Sequence, residues 1–146
     1  MSAVSLVPAV HRATHRVGLY LAAAGQRGLS QGEAHVLAQL AQDGAATIAE
    51  LHRGLAHRRS TLTSILDRLA ARGFVTREVA REDRRSFLIA LTRDGRRAAT
   101  RIARSIAALE RAVETKTTSR DVEACLRVLA ALESESQRGT GARSKM

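Results

Sequence analysis

The chain has 146 residues, 45% of them hydrophobic and 2% aromatic, with 24 basic against 14 acidic side chains and a net charge of +10 at pH 7. That apolar content suffices for one compact unit or two small joined ones, which argues against whole-chain disorder, while Tyr20, Phe74 and Phe87 are too few for a platform that stacks single-stranded bases. The basic excess calls for a polyanionic partner; the single Cys125 excludes an internal disulfide framework, and no apolar run approaches membrane-spanning length. Because residues 1–10 also lack the basic start and cleavage site of a signal peptide, the expected compartment is the cytoplasm, with no membrane partner.

Leu6, Val10, Val17 and Leu21, with Ala13 and Ala24, recur at mostly helical spacing and predict a helix from Val4 to Ala24 that tolerates Pro8 near its start. Gly25-Gln26-Arg27-Gly28 breaks it. Ser30 and Glu33 form a capping box for a second helix to Ala41, with Ala34, Leu37, Leu40 and Ala41 inward. Asp43-Gly44 turns the chain, and Thr47 with Glu50 caps a third helix through Leu55 whose apolar side is Ile48, Leu51 and Leu55. A fourth helix is predicted from about Arg58 to Arg72, because Leu62, Ile65, Leu66 and Leu69 fall at i, i+3, i+4 and i+7; its opposite side carries His57, Ser60, Thr61, Ser64, Arg68 and Ala71. Gly73 is its C-cap. Phe74 to Val79 and Phe87 to Leu91 read as a two-stranded hairpin with the charged tip Arg81-Glu82-Asp83-Arg84-Arg85. Thr92 N-caps a long helix to about Lys116, Ser119 caps a last one, and a frayed basic tail is expected after Glu135.

Function follows from where the charge falls. Residues 52–97 hold twelve arginines against five acids, whereas residues 1–51 balance three against three. A helix with Ser, Thr and Arg outward, followed by an arginine-tipped hairpin, suits double-stranded DNA. Ser60, Thr61, Ser64 and Arg68 are the candidates for base edges, and Arg58, Arg59, Thr63 and Arg84 for phosphates. The apolar stripes Val10, Val17 and Leu21, then Ile106, Leu109 and Val113, then Val122, Leu126 and Leu129 are most simply buried against each other and a second copy, as a homodimer. His11 and His15 have the spacing of a shared metal site, but no third ligand is evident and no metal is expected. His35 is a weak ligand candidate, able either to line a cavity below the head or to serve as a hydrogen-bonded structural histidine. Cys125 lies on an apolar stripe, where a buried inert thiol is expected. There is no G-x-S-x-G, P-loop or H-E-x-x-H, so neither catalysis nor a cofactor is expected. Two alternatives remain open: a sequence-neutral architectural DNA-binding protein, and a winged helix used as a protein-interaction module.

Three pieces of the chain resemble the MarR family of bacterial winged helix-turn-helix transcription regulators: Leu29-Ser30 with Val36-Leu37 and Leu40; Arg59-Ser60-Thr61-Leu62-Thr63 through Leu66-Asp67-Arg68-Leu69 to Gly73-Phe74-Val75; and Asp83-Arg84-Arg85 with Leu91-Thr92 and Gly95. His52 and Ala56-His57 depart from the family's usual residues. The resemblance implies a mainly α fold of about six helices with a small β-hairpin wing. Its parts are an N-terminal dimerisation helix (1–28), a winged helix-turn-helix head (29–95), C-terminal dimerisation helices (96–135) and a flexible basic tail (136–146). It also implies that Arg85 enters the minor groove with Asp83 orienting it, and that the homodimer is a repressor responsive to a small-molecule effector.

Overall fold

The computed structural model describes residues 5–25, 28–55 and 59–143. Its elements are α1 (Leu6–Gly25), α2 (Gln31–Asp43), β1 (Ala46–Thr47), α3 (Ile48–Gly54), α4 (Arg59–Ala71), β2 (Val75–Val79), β3 (Phe87–Leu91), α5 (Arg93–Glu114) and α6 (Ser119–Arg143). The chain divides into two compact units, Met1–Ala107 and Ala108–Met146.

In the first unit, local chemistry sets most helix ends. Pro8 sits in the first turn of α1, where a missing N–H costs no helical bond. Both predicted capping boxes form: the Glu33 amide donates to Ser30 Oγ at 3.1 Å while the Ser30 amide donates to Glu33 Oε2 at 2.9 Å, and Thr47 and Glu50 repeat the exchange at 3.2 and 2.7 Å. The sheet has three strands in the order β1-β3-β2, all antiparallel, where a two-stranded hairpin is the expectation from sequence. Ala46 pairs with Ile89 and Thr47 with Leu88; a two-residue strand has no periodicity to read, and Thr47 serves at once as strand end and N-cap of α3.

The core gathers Leu37, Leu51, Leu62, Leu66, Leu69, Ile89 and Ile102, all essentially without solvent contact. Leu21 of α1 and Ala98, Ala99 and Ile102 of α5 belong to it, and Ile106 packs against it. The head therefore takes α1 and the first half of α5 as walls rather than standing complete without them, and Leu21, assigned from sequence to a partner-facing stripe, is buried within its own chain. Leu6, Val7, Val17, Leu19 and Tyr20 of α1 remain exposed, and Val10 is half-buried.

The second unit contains the end of α5 and all of α6. Thr118, not Ser119, caps α6: its amide donates to Asp121 Oδ2 at 2.8 Å and its hydroxyl accepts from the Asp121 amide at 3.3 Å. A Thr-x-x-Asp box satisfies donors at both ends, which a single serine cannot. The helix runs on to Arg143, past Glu135 where an irregular tail is the sequence expectation; Ser136 donates back to Leu132 O and Arg138 pairs with Glu135 at 3.1 Å along the continued helix. Leu109 is half-buried, while Val113, Val122, Leu126 and Leu129 are exposed. Cys125 is exposed as well, so the expected burial of its thiol does not hold in the single chain.

Candidate nucleic-acid interface

The outward face of α4 is fixed by what lies behind it. Leu62, Ile65, Leu66 and Leu69 are buried in the head core, which leaves Ser60, Thr61, Thr63 and Ser64 in solvent on the amino-terminal half of the helix. Short hydroxyl side chains there both donate and accept, and leave room for a close approach to base edges. His57 and Arg58 lie outside the described residues, as does the Arg59 side chain.

Arg68 is held differently. Its Nε donates to Glu33 Oε1 at 2.8 Å, and Arg72 Nη1 lies 3.6 Å from Glu33 Oε2. The Glu33 side chain is only 3% exposed against 53% for Arg68, so one buried carboxylate caps α2 and grips α4 through two guanidiniums. The capping box makes Glu33 conspicuous in the sequence. Nothing in the spacing signals its second task, because its partners lie 35 and 39 residues away.

The exit from α4 positions the wing. Phe74 N donates to Leu69 O and Gly73 N to Ala70 O, with Gly73 at φ +75°: a Schellman end, which a side chain at Gly73 would strain. Thr92 then joins the hairpin's return to this corner. Its amide donates to Phe74 O at 3.0 Å, its hydroxyl donates to Gly73 O at 2.6 Å, and the same oxygen accepts from the Gly95 amide at 3.0 Å. A Cβ on Gly95 would stand 1.9 Å from Phe74 O, so the Leu-Thr-x-x-Gly spacing is a packing requirement where α5 crosses the start of β2. Arg77 of β2 reaches Asp67 of α4 at 2.6 Å, a second brace between wing and helix.

At the wing tip Arg84 and Arg85 are exposed. Asp83 acts on the backbone: its carboxylate accepts from the Arg85 amide at 3.0 Å and the Ser86 hydroxyl at 3.1 Å, while Ser86 N donates to Asp83 O. It shapes the turn that presents the arginine, and among the described residues it makes no ion pair with the Arg85 guanidinium.

Other sequence candidates fall elsewhere. His35 lines a hollow of about 420 Å³ with Thr14, Ala38, Gln39, Gln42 and Leu55. His11 and His15 are exposed, His15 Nδ1 lies 3.4 Å from Gln31 Nε2, and no cluster of three or more metal-binding side chains occurs among the described residues. His52 is half-buried. No helix among these residues is long and apolar enough to cross a membrane.

Residues 29–87, from just before α2 to the first residue of β3, match the MarR family model. The protein carries a MarR-family domain. Solved structures of low sequence identity share the fold. PcaV, a transcriptional regulator from Streptomyces coelicolor solved in complex with its natural ligand, matches with a TM-score of 0.74 at 18% identity, over 93% of this chain and 99% of that one. A probable transcriptional regulator from Pseudomonas aeruginosa matches with a TM-score of 0.69 at 22% identity, over 88% and 97%. BpsR from Bordetella bronchiseptica, whose structure concerns regulation of DNA binding by 6-hydroxynicotinic acid, matches with a TM-score of 0.70 at 20% identity, over 86% and 96%. No curated protein sequence matches the chain. The fold is thus a winged helix like that of MarR-family transcription regulators, with six helices and a small three-stranded sheet among the described residues.

Proposed function

We propose that the protein is a sequence-specific repressor that binds double-stranded DNA as a homodimer on a pseudo-palindromic operator and releases it on binding a small molecule. The observation that carries this reading is the exposed hydroxyl face of α4 braced beside a wing whose tip presents two arginines. Ser60, Thr61 and Ser64 read base edges in the major groove, and Arg58, Arg59, Thr63 and Arg84 hold phosphates. Arg85 enters the minor groove from the turn that Asp83 shapes. Arg68 keeps a supporting part: with Nε given to Glu33, it positions α4 more than it reads bases.

The dimer reading rests on stripes left exposed or half-buried, Val10 and Val17 of α1, Leu109 and Val113 of α5, and Val122, Leu126 and Leu129 of α6, with Ile106 at their edge. Two heads about 34 Å apart then meet half-sites one helical turn apart, and a ligand that alters that separation loses the match. The His35 hollow is the proposed effector site, in keeping with the ligands named for PcaV and BpsR.

The test is a competition titration of the promoter fragment upstream of the gene against random duplex at fixed salt. We expect a preference for the promoter fragment of about a thousandfold, with log K falling by about 0.9 per neutralised phosphate for each decade of salt. Equal affinity for both duplexes would overturn the regulator reading in favour of sequence-neutral binding, and no binding at low salt would favour a protein-interaction module.

A further inference from the structure

The strongest positive feature that DNA reading leaves unused lies on α5. Arg93, Arg96, Arg97, Arg101 and Arg104 line one side of its first half, and Arg72 at the end of α4 adjoins them. Two hollows open there. One, of about 480 Å³, is walled by Arg72, Arg97 and Arg101 with Phe74 and Asp94; the other, of about 430 Å³, is walled by five arginines and Thr100. Arg97 and Arg101 belong to both, so the hollows form one continuous strip.

Two facts set the strip apart from an ordinary solvated face. First, its arginines are held mainly by groups that leave their charge in place. Arg101 Nε donates to Gly25 O at 2.8 Å, Arg72 Nη1 to Gly28 O at 2.9 Å, and Arg96 Nη1 to Leu91 O at 3.0 Å; Arg72 also sits 5.1 Å from the centre of the Phe74 ring. A carbonyl orients a guanidinium without neutralising it. Among the described residues Asp94, 3.7 Å from Arg97, is the one carboxylate lining the strip; Glu33, outside the lining, lies 3.6 Å from Arg72, and Arg93 and Arg104 have no ion pair within 4 Å. Second, the strip lies away from the reading surface. Ser60 and Arg72 are twelve residues apart on or just past α4, roughly 18 Å at helical rise, and the wing tip is separated from Arg93 by the length of β3, roughly 17 Å.

We propose that this strip binds a small oligophosphate anion, two or three linked phosphates. Guanidinium forks match phosphate oxygens in pairs, and preset forks lose less freedom on binding. One phosphate would meet only part of the strip: Arg97 and Arg104 are separated by about 10 Å along α5, the reach of a short phosphate chain rather than of a single group.

The full chain, without DNA, should be titrated calorimetrically with tripolyphosphate, ATP and orthophosphate at physiological salt. The variants are Arg97→Ala/Arg104→Ala and, with equal loss of charge, Arg84→Ala/Arg85→Ala. The strip variant is expected to bind tripolyphosphate about tenfold more weakly, the wing variant within about twofold of wild type, and orthophosphate at least about tenfold more weakly than tripolyphosphate on the unaltered protein. ATP binding well below tripolyphosphate would support a free phosphate chain as the occupant, and ATP binding as tight or tighter a nucleotide. Equal weakening by both variants would reduce the effect to overall charge and overturn the proposal, as would undetectable tripolyphosphate binding by a wild-type protein. A strip variant that keeps wild-type tripolyphosphate affinity would also overturn it. Because direct anion binding is measured without DNA, failure here leaves the repressor reading to its own test.

Discussion

Helices α4 and α6 both carry an apolar stripe at helical spacing, and the chain treats them in opposite ways. Leu62, Ile65, Leu66 and Leu69 vanish into the core of the head, which forces the Ser and Thr side of α4 outward. Val122, Leu126, Val128 and Leu129 of α6 stay in solvent, Leu126 at 60% exposure. Periodicity tells which side of a helix seeks burial; it does not tell whether that burial comes from the same chain or from another. The α4 stripe is spent on folding, and the α6 stripe remains available for association.

Truncating each stripe at one leucine should separate these roles most sharply. Leu66→Ala empties a fully buried site and is expected to cost about 2–5 kcal/mol, read as a fall in the denaturant midpoint at every protein concentration. Leu126→Ala removes a side chain already in solvent, and at nanomolar concentration its effect on unfolding should stay within about 0.5 kcal/mol. At micromolar concentration the proposed dimer predicts a shift toward the monomer mass in light scattering for Leu126→Ala and not for Leu66→Ala molecules that remain folded. If Leu126→Ala destabilised a dilute monomer as much as Leu66→Ala does, the contrast between the two helices would fail.

Most of the head was legible before its structure because its instructions are local. Ser30 with Glu33 and Thr47 with Glu50 start α2 and α3, Gly73 ends α4, and Thr92 with Gly95 starts α5 against the corner it must pack on. What escaped the sequence is what depends on distant partners or on very short segments. β1 is two residues long; Glu33 finds Arg68 only after the fold brings α2 and α4 together; Leu21 enters the head core across a chain break in periodicity. Of the candidate interface, the residue types on α4 and the wing were readable, but not that Arg68 turns back to a buried acid, nor that the Asp83 carboxylate takes the Arg85 amide and the Ser86 hydroxyl.

A smaller effect would sharpen the difference between reading and bracing. Arg77 and Asp67 form a partly exposed ion pair, so Asp67→Asn should change stability by no more than about 1 kcal/mol. Because the pair joins β2 to α4, the proposed function predicts a larger relative loss of DNA affinity than of stability, as the wing tip is less firmly aimed. Fluorescence anisotropy on a duplex containing the operator, beside a denaturant titration, would compare the two; unchanged affinity would show that the corner at Gly73, Thr92 and Gly95 aims the wing alone.

The smallest effect concerns the two exposed caps, one in the head and one at the start of α6. Hydrogen bonds from the Thr47 backbone and then its side chain lower the Glu50 pKa below its usual 4.5, and those from the Thr118 side chain and then its backbone lower that of Asp121 below 3.8. A carboxylate whose pKa is lowered by folding stabilises the folded state fully above its unfolded pKa, and loses that contribution as pH falls through the folded value. Glu50→Gln and Asp121→Asn should therefore melt slightly below wild type at pH 7, with the gap shrinking below about pH 4.5 for the first and about pH 3.8 for the second. The two gaps should also differ in kind. Loss of the Glu50 cap frays a helix whose Leu51 is buried in the head core and is felt in the cooperative melt, whereas loss of the Asp121 cap frays the start of α6, whose Val122, Leu126 and Leu129 are exposed. Circular dichroism at 222 nm from pH 7 to pH 3 would read both, and a gap for Asp121→Asn that grew as pH fell would contradict the assigned role of its charge.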